Sequence, residues 1–311
     1  MSKTLLKPRV VITGGDPCGI GLEIIEKALS DKKIFSLASY VLIADKQCIK
    51  RKSLIKKVEF IDVSILKRPP FLGRYEKSAA KVSFVCIEKA CDLIKSRQAD
   101  CMVTAPVNKE AINRCGISFK GHTEYLAQYF NVRKYLMMLV NESFRVSIVT
   151  RHIPLREVAG SLSVQNISDT VKLTVKGLKD YFAIKSPKIA VSALNPHAAE
   201  GNVLGKEELK KIIPAIKKLR LKNISGPFPA DSLFNRKGFD AFVAMYHDQG
   251  LIPIKQNNFF NCVNLTIGLP FIRTSPGHGT AYEIAGKTIA DARSMKNAIY
   301  LAISAFRKKC R

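Results

Sequence analysis

Short apolar runs of strand length alternate with segments of helical period along almost the whole chain, and that alternation limits the fold more than any other feature. RVVIT (9–13) leads into a glycine-rich turn and then a helix expected from about Leu22 to Leu29. SYVLIA (39–44) and VEFIDV (58–63) read as strands, residues 76–98 carry apolar positions at helical spacing, and CMVTA (101–105) reads as the next strand. LMMLV (136–140) and RVSIVT (145–150) flank Asn141, Glu142 and Ser143, the pattern of a hairpin, and Ser168 is placed to cap a helix running to about Phe182. KIAVSAL (188–194), a helix near 207–219, AFVAMY (241–246), VNLTIG (263–268) and a helix over about 293–308 complete the series. Such alternation argues for α/β layers around a largely parallel sheet.

At 311 residues the chain can build two domains or one large one, with a sizeable core. No run approaches the roughly 18 apolar residues that span a bilayer, and MSKTLLKPRVVITGG is too quickly interrupted to serve as a signal peptide. A cytoplasmic location is expected. The eight cysteines contain no Cys-x-x-Cys pair, so they read as reduced, small core residues rather than a metal cluster or redox dithiol. The net charge of +26 raises the question of a nucleic-acid partner. Its densest runs, IKRKSLIKK (49–57) and LKKIIPAIKKLRLKN (209–223), mix charge with helix-spaced apolar residues, as solvated helix faces do. No aromatic-rich single-strand platform or zinc-finger spacing accompanies them, so no nucleic acid is expected; the excess charge would also draw phosphorylated substrates.

Polar residues collect just past the strands. His152 follows RVSIVT, His197 follows KIAVSAL, and His247 follows AFVAMY. Ligands of open α/β sheets bind outside the carboxyl ends of the strands. A lone histidine there is more often a hydrogen-bonded structural residue, but three in equivalent positions, out of five in the chain, could converge on one metal ion with a position left open for substrate. His122 lies in KGHTEY (120–125) and His278 in SPGHGTAYEIAGK (275–287). Lys255 and Arg273 are single cations suited to a phosphate or carboxylate, and Asn264 opens the strand between them. ITGGDPCGIGLE (12–23) looks like a phosphate loop but lacks the third glycine of the dinucleotide fingerprint and the lysine of the P-loop. Two readings stay open for it: an anion site at a helix N-terminus, or only a tight strand-to-helix turn.

Taken together, ITGGDPCGIGLE, VTAPVNKEAI, GISFKGHTEYLA, HIPLREV, LNPHAAEG, GPFPADSLF, AMYHDQGLIPIK, VNLTIGLPFIRTS and HGTAYEIAGK resemble the 4-hydroxythreonine-4-phosphate dehydrogenase family of vitamin B6 biosynthesis, from about residue 9 to 295 and in the family's order. The resemblance implies an isocitrate/isopropylmalate dehydrogenase-like fold: two α/β/α domains with a cleft between them, residues 1–118 plus 276–311 on the cofactor side and 119–275 carrying metal and dimerisation. It implies a homodimer whose active site is completed by the partner subunit. Its metal histidines match His152, His197 and His247, and its substrate residues match His122, Thr123, Lys255, Asn264 and Arg273. The segment from His278 through Gly279, Thr280 and Ala281 is similar to the loop that holds the adenosine side of NAD or NADP in the wider fold group. The family usually has Pro and Ala where this chain has Gly14 and Cys18, Pro where it has Leu22, and an uncharged residue at Arg151.

The resemblance implies oxidation of 4-phosphooxy-L-threonine at C3 by NAD or NADP, then decarboxylation to 3-amino-2-oxopropyl phosphate, with one divalent metal per site (zinc, magnesium, manganese or cobalt). Lys255 is a candidate proton acceptor or only a substrate contact. Asp248 could orient His247 or only cap the turn. A related dehydrogenase of a 4-phosphorylated threonate or erythronate would carry nearly the same motifs; a three-histidine hydrolase would not need HGTAYEIAGK.

Overall fold

The computed structural model describes residues 6–142, 144–256 and 258–310. In chain order its strands are β1 (Arg9–Thr13), β2 (Ser39–Ala44), β3 (Glu59–Asp62), β4 (Cys101–Thr104), β5 (Leu136–Val140), β6 (Arg145–Thr150), β7 (Ile189–Ser192), β8 (Ile224–Phe228), β9 (Ala241–Tyr246), β10 (Val263–Ile267) and β11 (Ile272–Pro276). The helices that matter below are α1 (Gly21–Leu29), α2 (Lys77–Lys95), α3 (Lys109–Asn113), α4 (His122–Tyr129), α5 (Val164–Phe182), α6 (Ile213–Leu219), α7 (His247–Gln256) and α8 (Arg293–Lys309). Two compact units result: Met1–Arg133 with Phe260–Leu265 and Leu269–Arg311, and Lys134–Phe259 with Thr266–Gly268.

The first unit is built on the parallel strands β3-β2-β1-β4-β11. Val10, Val11 and Ile12 are each fully buried, as expected of a parallel strand covered on both faces. Met102 joins a cluster with Val11, Cys86, Ile87 and Phe119 under α2. Its neighbour Cys101 points to the opposite face and meets the carbonyl of Ala302 on α8 at 3.6 Å. In the second unit, β5 and β6 form the expected antiparallel hairpin, with Met138 opposite Ser147; Ser143 of its turn lies outside the described residues. β6, β9, β7 and β8 follow as parallel neighbours. Val243 and Met245 pack with α5 and α6 residues, while Ala244, on the other face, lies against Gly250 of α7.

Four expectations differ from the structure. Ser168 does not start a helix: the cap is Ser163, whose side chain and that of Asn166 form a capping box, and Ser168 donates its hydroxyl to the Val164 carbonyl at 2.6 Å inside α5. The helix near 207–219 begins with a π-turn, Glu208–Ile212, before α6. α4 was expected beyond the boundary at residue 118, yet it belongs to the first unit because Tyr125, Leu126, Tyr129 and Phe130 pack with Phe84, Phe119 and Phe271. His247 does not end in a loop: it is the first residue of α7. β8 and β11 escaped pattern reading, since ISGPF and IRTSP contain the Pro and polar residues that usually break a strand.

Phe119 is 2% exposed and meets Phe84 edge-on at 6.2 Å. Phe119→Ala is expected to lower unfolding free energy by about 3–5 kcal/mol, read as a fall in the urea midpoint.

Candidate active site

In the first unit, the register that sets Arg273 opposite Met102 also brings its guanidinium to Thr104, two residues further on and on the same face. Arg273 donates to Thr104 Oγ1 from Nε at 3.2 Å and from Nη2 at 2.6 Å, and Nη1 comes within 3.5 Å of Thr123 Oγ1. The residue is 4% exposed. Burial pulls the guanidinium down to about 10, opposed by the charge of Glu124, so it stays cationic at neutral pH. Beside it, α4 begins at His122 after Gly121, directing backbone N–H groups outward from its first turn. His122 is held well below its ordinary pKa, first by burial and then by the charges of Arg273 and Lys109. Among the described residues its buried Nε2 and the buried Oδ1 of Asn264 have no hydrogen-bond partner, the state of groups that await a ligand. A buried cation, a helix N-terminus and an unpartnered imidazole nitrogen make a receptor for an anion.

In the second unit, His152 and His247 face each other past the ends of the paired strands β6 and β9, ring centroids 5.6 Å apart. They line an open cavity of about 380 Å³ with Arg151, Leu155, Tyr246 and Asp248. Asp248 Oδ1 sits 2.6 Å from His247 Nδ1, which leaves Nε2 for another partner. The extra cation of this chain, Arg151, has its guanidinium 4.7 Å from the ring centre of Tyr135. Gln249 braces the strand ends: it accepts from Met245 N–H at 2.7 Å and donates to the Ala193 carbonyl at 2.7 Å.

His197 is not among the residues that line that cavity. Among the described residues no three His, Cys, Asp or Glu side chains are grouped to hold a metal ion. His197 opens a left-handed turn in which residues 197–201 have φ of 51°, 54°, 70°, 40° and 66°. Left-handed L-residues cost about 1–2 kcal/mol each. Anchoring offsets this: buried Glu208 accepts the N–H groups of Leu194 and Asn195, each at 2.8 Å, and Asn195 Nδ2 donates to both Glu207 and Glu208. Lys255 is eight residues beyond His247 on α7, about 12 Å along the axis. Its ammonium lies 5.5 Å from the ring centre of Phe259.

His278 through Ala281 run along the glycine-rich loop after β1, ahead of a 3-10 turn at Tyr282–Ile284. Five of that loop's N–H groups are bonded within the protein: Gly14 N–H to Ile43, Asp16 N–H to Pro106, Gly19 N–H to the Asp16 carbonyl and Ile20 N–H to Thr280, while Cys18 N–H donates to the Asp16 carboxylate. Those bonds shape a tight strand-to-helix turn.

A family model for pyridoxal phosphate biosynthetic protein PdxA matches residues 22–302. The chain belongs to this family. It is 41% identical to the 4-hydroxythreonine-4-phosphate dehydrogenase of Sulfurihydrogenibium sp. (strain YO3AOP1), over 95% of this chain and 97% of that protein. The crystal structure of the Klebsiella pneumoniae 4-hydroxythreonine-4-phosphate dehydrogenase superposes with a TM-score of 0.84 at 33% identity, over 98% of this chain and 100% of the other. That of a Burkholderia phymatum enzyme of the same name gives 0.78 at 34%, over 96% and 98%.

Motif reading did not single out Thr104 and Lys109, which lie with Arg273 and His122 in the first unit, or Gln249, which braces strand ends in the second. VTAP and HDQG held them in view, but only the sheet register shows what they touch. For His122, the unfolded chain binds a proton below roughly pH 6.5 that the folded chain excludes. Stability is therefore fully present above that pH and falls as pH drops toward the depressed folded value. His122→Gln is expected to flatten this decline in thermal midpoint between about pH 6.5 and 5, measured against wild type in parallel scans.

Proposed function

We propose that this chain is a 4-hydroxythreonine-4-phosphate dehydrogenase, oxidising 4-phosphooxy-L-threonine at C3 with NAD or NADP and losing CO2 to give 3-amino-2-oxopropyl phosphate, on the way to pyridoxal phosphate. The relatives carry that name. The observation in the molecule that carries the reading is the buried Arg273 cation beside unpartnered His122 Nε2. That receptor suits a phosphorylated small molecule better than a neutral one, because removing a charge from water requires an opposite charge to meet it.

Arg273, Thr123, His122 and the first N–H groups of α4 hold the anionic end of the substrate. Asn264 offers its free carbonyl oxygen to a substrate N–H or O–H. His152 and His247 fit a divalent cation as a facing pair with one ring oriented by Asp248. The ion, whether zinc, magnesium, manganese or cobalt, supplies Lewis acidity at the C3 oxygen when bound. His197 is assigned as a third ligand on its LNPHAAEG motif and on the anchored turn that carries it. The nicotinamide nucleotide supplies the hydride acceptor, with His278, Gly279, Thr280 and Ala281 assigned to its adenosine side. Lys255 is assigned to the substrate, as a contact or as acceptor of the C3 hydroxyl proton, and Asp248 to keeping the His247 ring in place. Oxidation at C3 puts a carbonyl β to the carboxylate, from which CO2 departs readily. We assign the active assembly to a cytoplasmic homodimer whose site the partner subunit completes.

The test is NAD(P)H formation followed by absorbance with purified 4-phosphooxy-L-threonine, both cofactors and added metals. Turnover of a 4-phosphorylated threonate or erythronate in its place would overturn the assignment. Arg273→Lys is expected to lower kcat/KM on the order of 100-fold, mostly through KM for the phosphorylated substrate. His152→Ala and His247→Ala should each lose bound metal and turnover together.

A further inference from the structure

The glycine-rich loop after β1 holds a buried carboxylate with no role in the chemistry above. Asp16 is 2% exposed. One of its oxygens accepts from Cys18 N–H at 2.9 Å, which fixes the loop's own shape. The other accepts from the Tyr282 hydroxyl at 2.6 Å, across 266 residues of sequence. Asn108 Nδ2 donates to the same phenol oxygen at 3.3 Å. Burial and the Asp16 contact both push the Tyr282 phenol upward, so it keeps its proton and donates.

The backbone closes on the same place. Ile20 N–H donates to the Thr280 carbonyl at 3.0 Å. A Cβ on Gly19 would lie 2.7 Å from that carbonyl oxygen and 3.0 Å from Thr280 Cβ. Only glycine lets the two segments approach so closely. Ala281, between the two attachment points, is itself left-handed at φ 47°. A non-glycine residue keeps that conformation where its surroundings impose it.

We infer that Asp16, Gly19 and Tyr282 form a latch that holds residues 278–281 in the conformation that receives the nicotinamide nucleotide, making Asp16 and Tyr282 positioning residues for cofactor affinity. This rests on the assignment of residues 278–281 to the nucleotide. Loss of the latch is expected to act on the nucleotide and to spare the phosphorylated substrate. One buried hydrogen bond to a carboxylate is worth enough to change affinity by roughly three- to thirtyfold.

The experiment measures NADH and NADPH dissociation by fluorescence on wild type, Tyr282→Phe, Asp16→Ala, Asp16→Asn and Gly19→Ala, together with steady-state KM and kcat. Tyr282→Phe, Asp16→Ala and Gly19→Ala are expected to weaken nucleotide binding within that range and raise nucleotide KM in step. KM for the phosphorylated substrate and kcat at saturating nucleotide should move less than about twofold. Asp16→Asn, which keeps an acceptor for the phenol, should recover part of what Asp16→Ala loses. Urea midpoints separate lost folding from lost positioning: Tyr282→Phe leaves the buried Asp16 carboxylate one donor short and lowers the midpoint, so nucleotide binding is read well below the unfolding transition. Unchanged nucleotide binding in Tyr282→Phe and Gly19→Ala overturns the latch while leaving the nucleotide assignment intact. Wild-type binding that survives Thr280→Pro undiminished overturns the assignment of residues 278–281 itself. A fall in kcat together with a rise in both KM values reduces the contacts to structural ones and also overturns the latch.

Discussion

A guanidinium inside a protein must be answered by something, and the first unit is arranged around that demand. Arg273 sits on β11, which runs parallel to β4 and is buried along its whole length, where side chains are normally apolar. The β4–β11 register makes it tolerable, since Thr104 falls where one oxygen accepts two of the guanidinium's N–H groups. A slip of one residue would turn Arg273 to the opposite face, away from both Thr104 and Thr123. The charge of Glu124 meets part of what remains. The depressed imidazole of His122 is a further consequence: burial comes first, and the Arg273 charge adds to it.

The second unit follows a different logic. Its candidate groups are carried by the chain just after strand ends, where the backbone leaves the ladder and polar groups can reach solvent. His152 and His247 come together because β6 and β9 are neighbours with Thr150 opposite Tyr246, so residues just beyond the strands are also neighbours. β7 lies on the other side of β9, and the chain leaving it turns left-handed at once. That turn is held from below by Glu208 in the π-turn before α6. Strain of this kind, kept in place by a buried carboxylate, is concentrated where a side chain must be presented in one direction.

Much of this was legible beforehand because burial on two faces leaves a plain signal. SYVLIA and AFVAMY are strands with the limits that their apolar runs suggest, and the abrupt change to polar residues after AFVAMY marked His247. Ser168 misled because a serine ahead of an apolar period resembles a cap, when Ser163 with Asn166 one turn earlier had the fuller signature. β11 was hidden by Arg273 itself, the polar residue that makes the site. The left-handed turn that carries His197 was not readable at all: five consecutive left-handed residues, three of them Ala or Gly, leave no periodic trace.

The glycine-rich loop shows how one composition can encode two different devices. In a phosphate loop, glycines free the backbone N–H groups to converge on a ligand. Here the same residue type frees the backbone to approach another stretch of protein: Gly19 takes the Thr280 carbonyl where a Cβ would stand, and Gly21 does the same for Gly14. Five of the N–H groups between Gly14 and Ile20 are already bonded within the protein. Glycine spacing reports only that something comes close. What comes close is decided by where the strand order places the loop, and β1, next to β4 and one strand from β11, places it beside the chain that leaves β11.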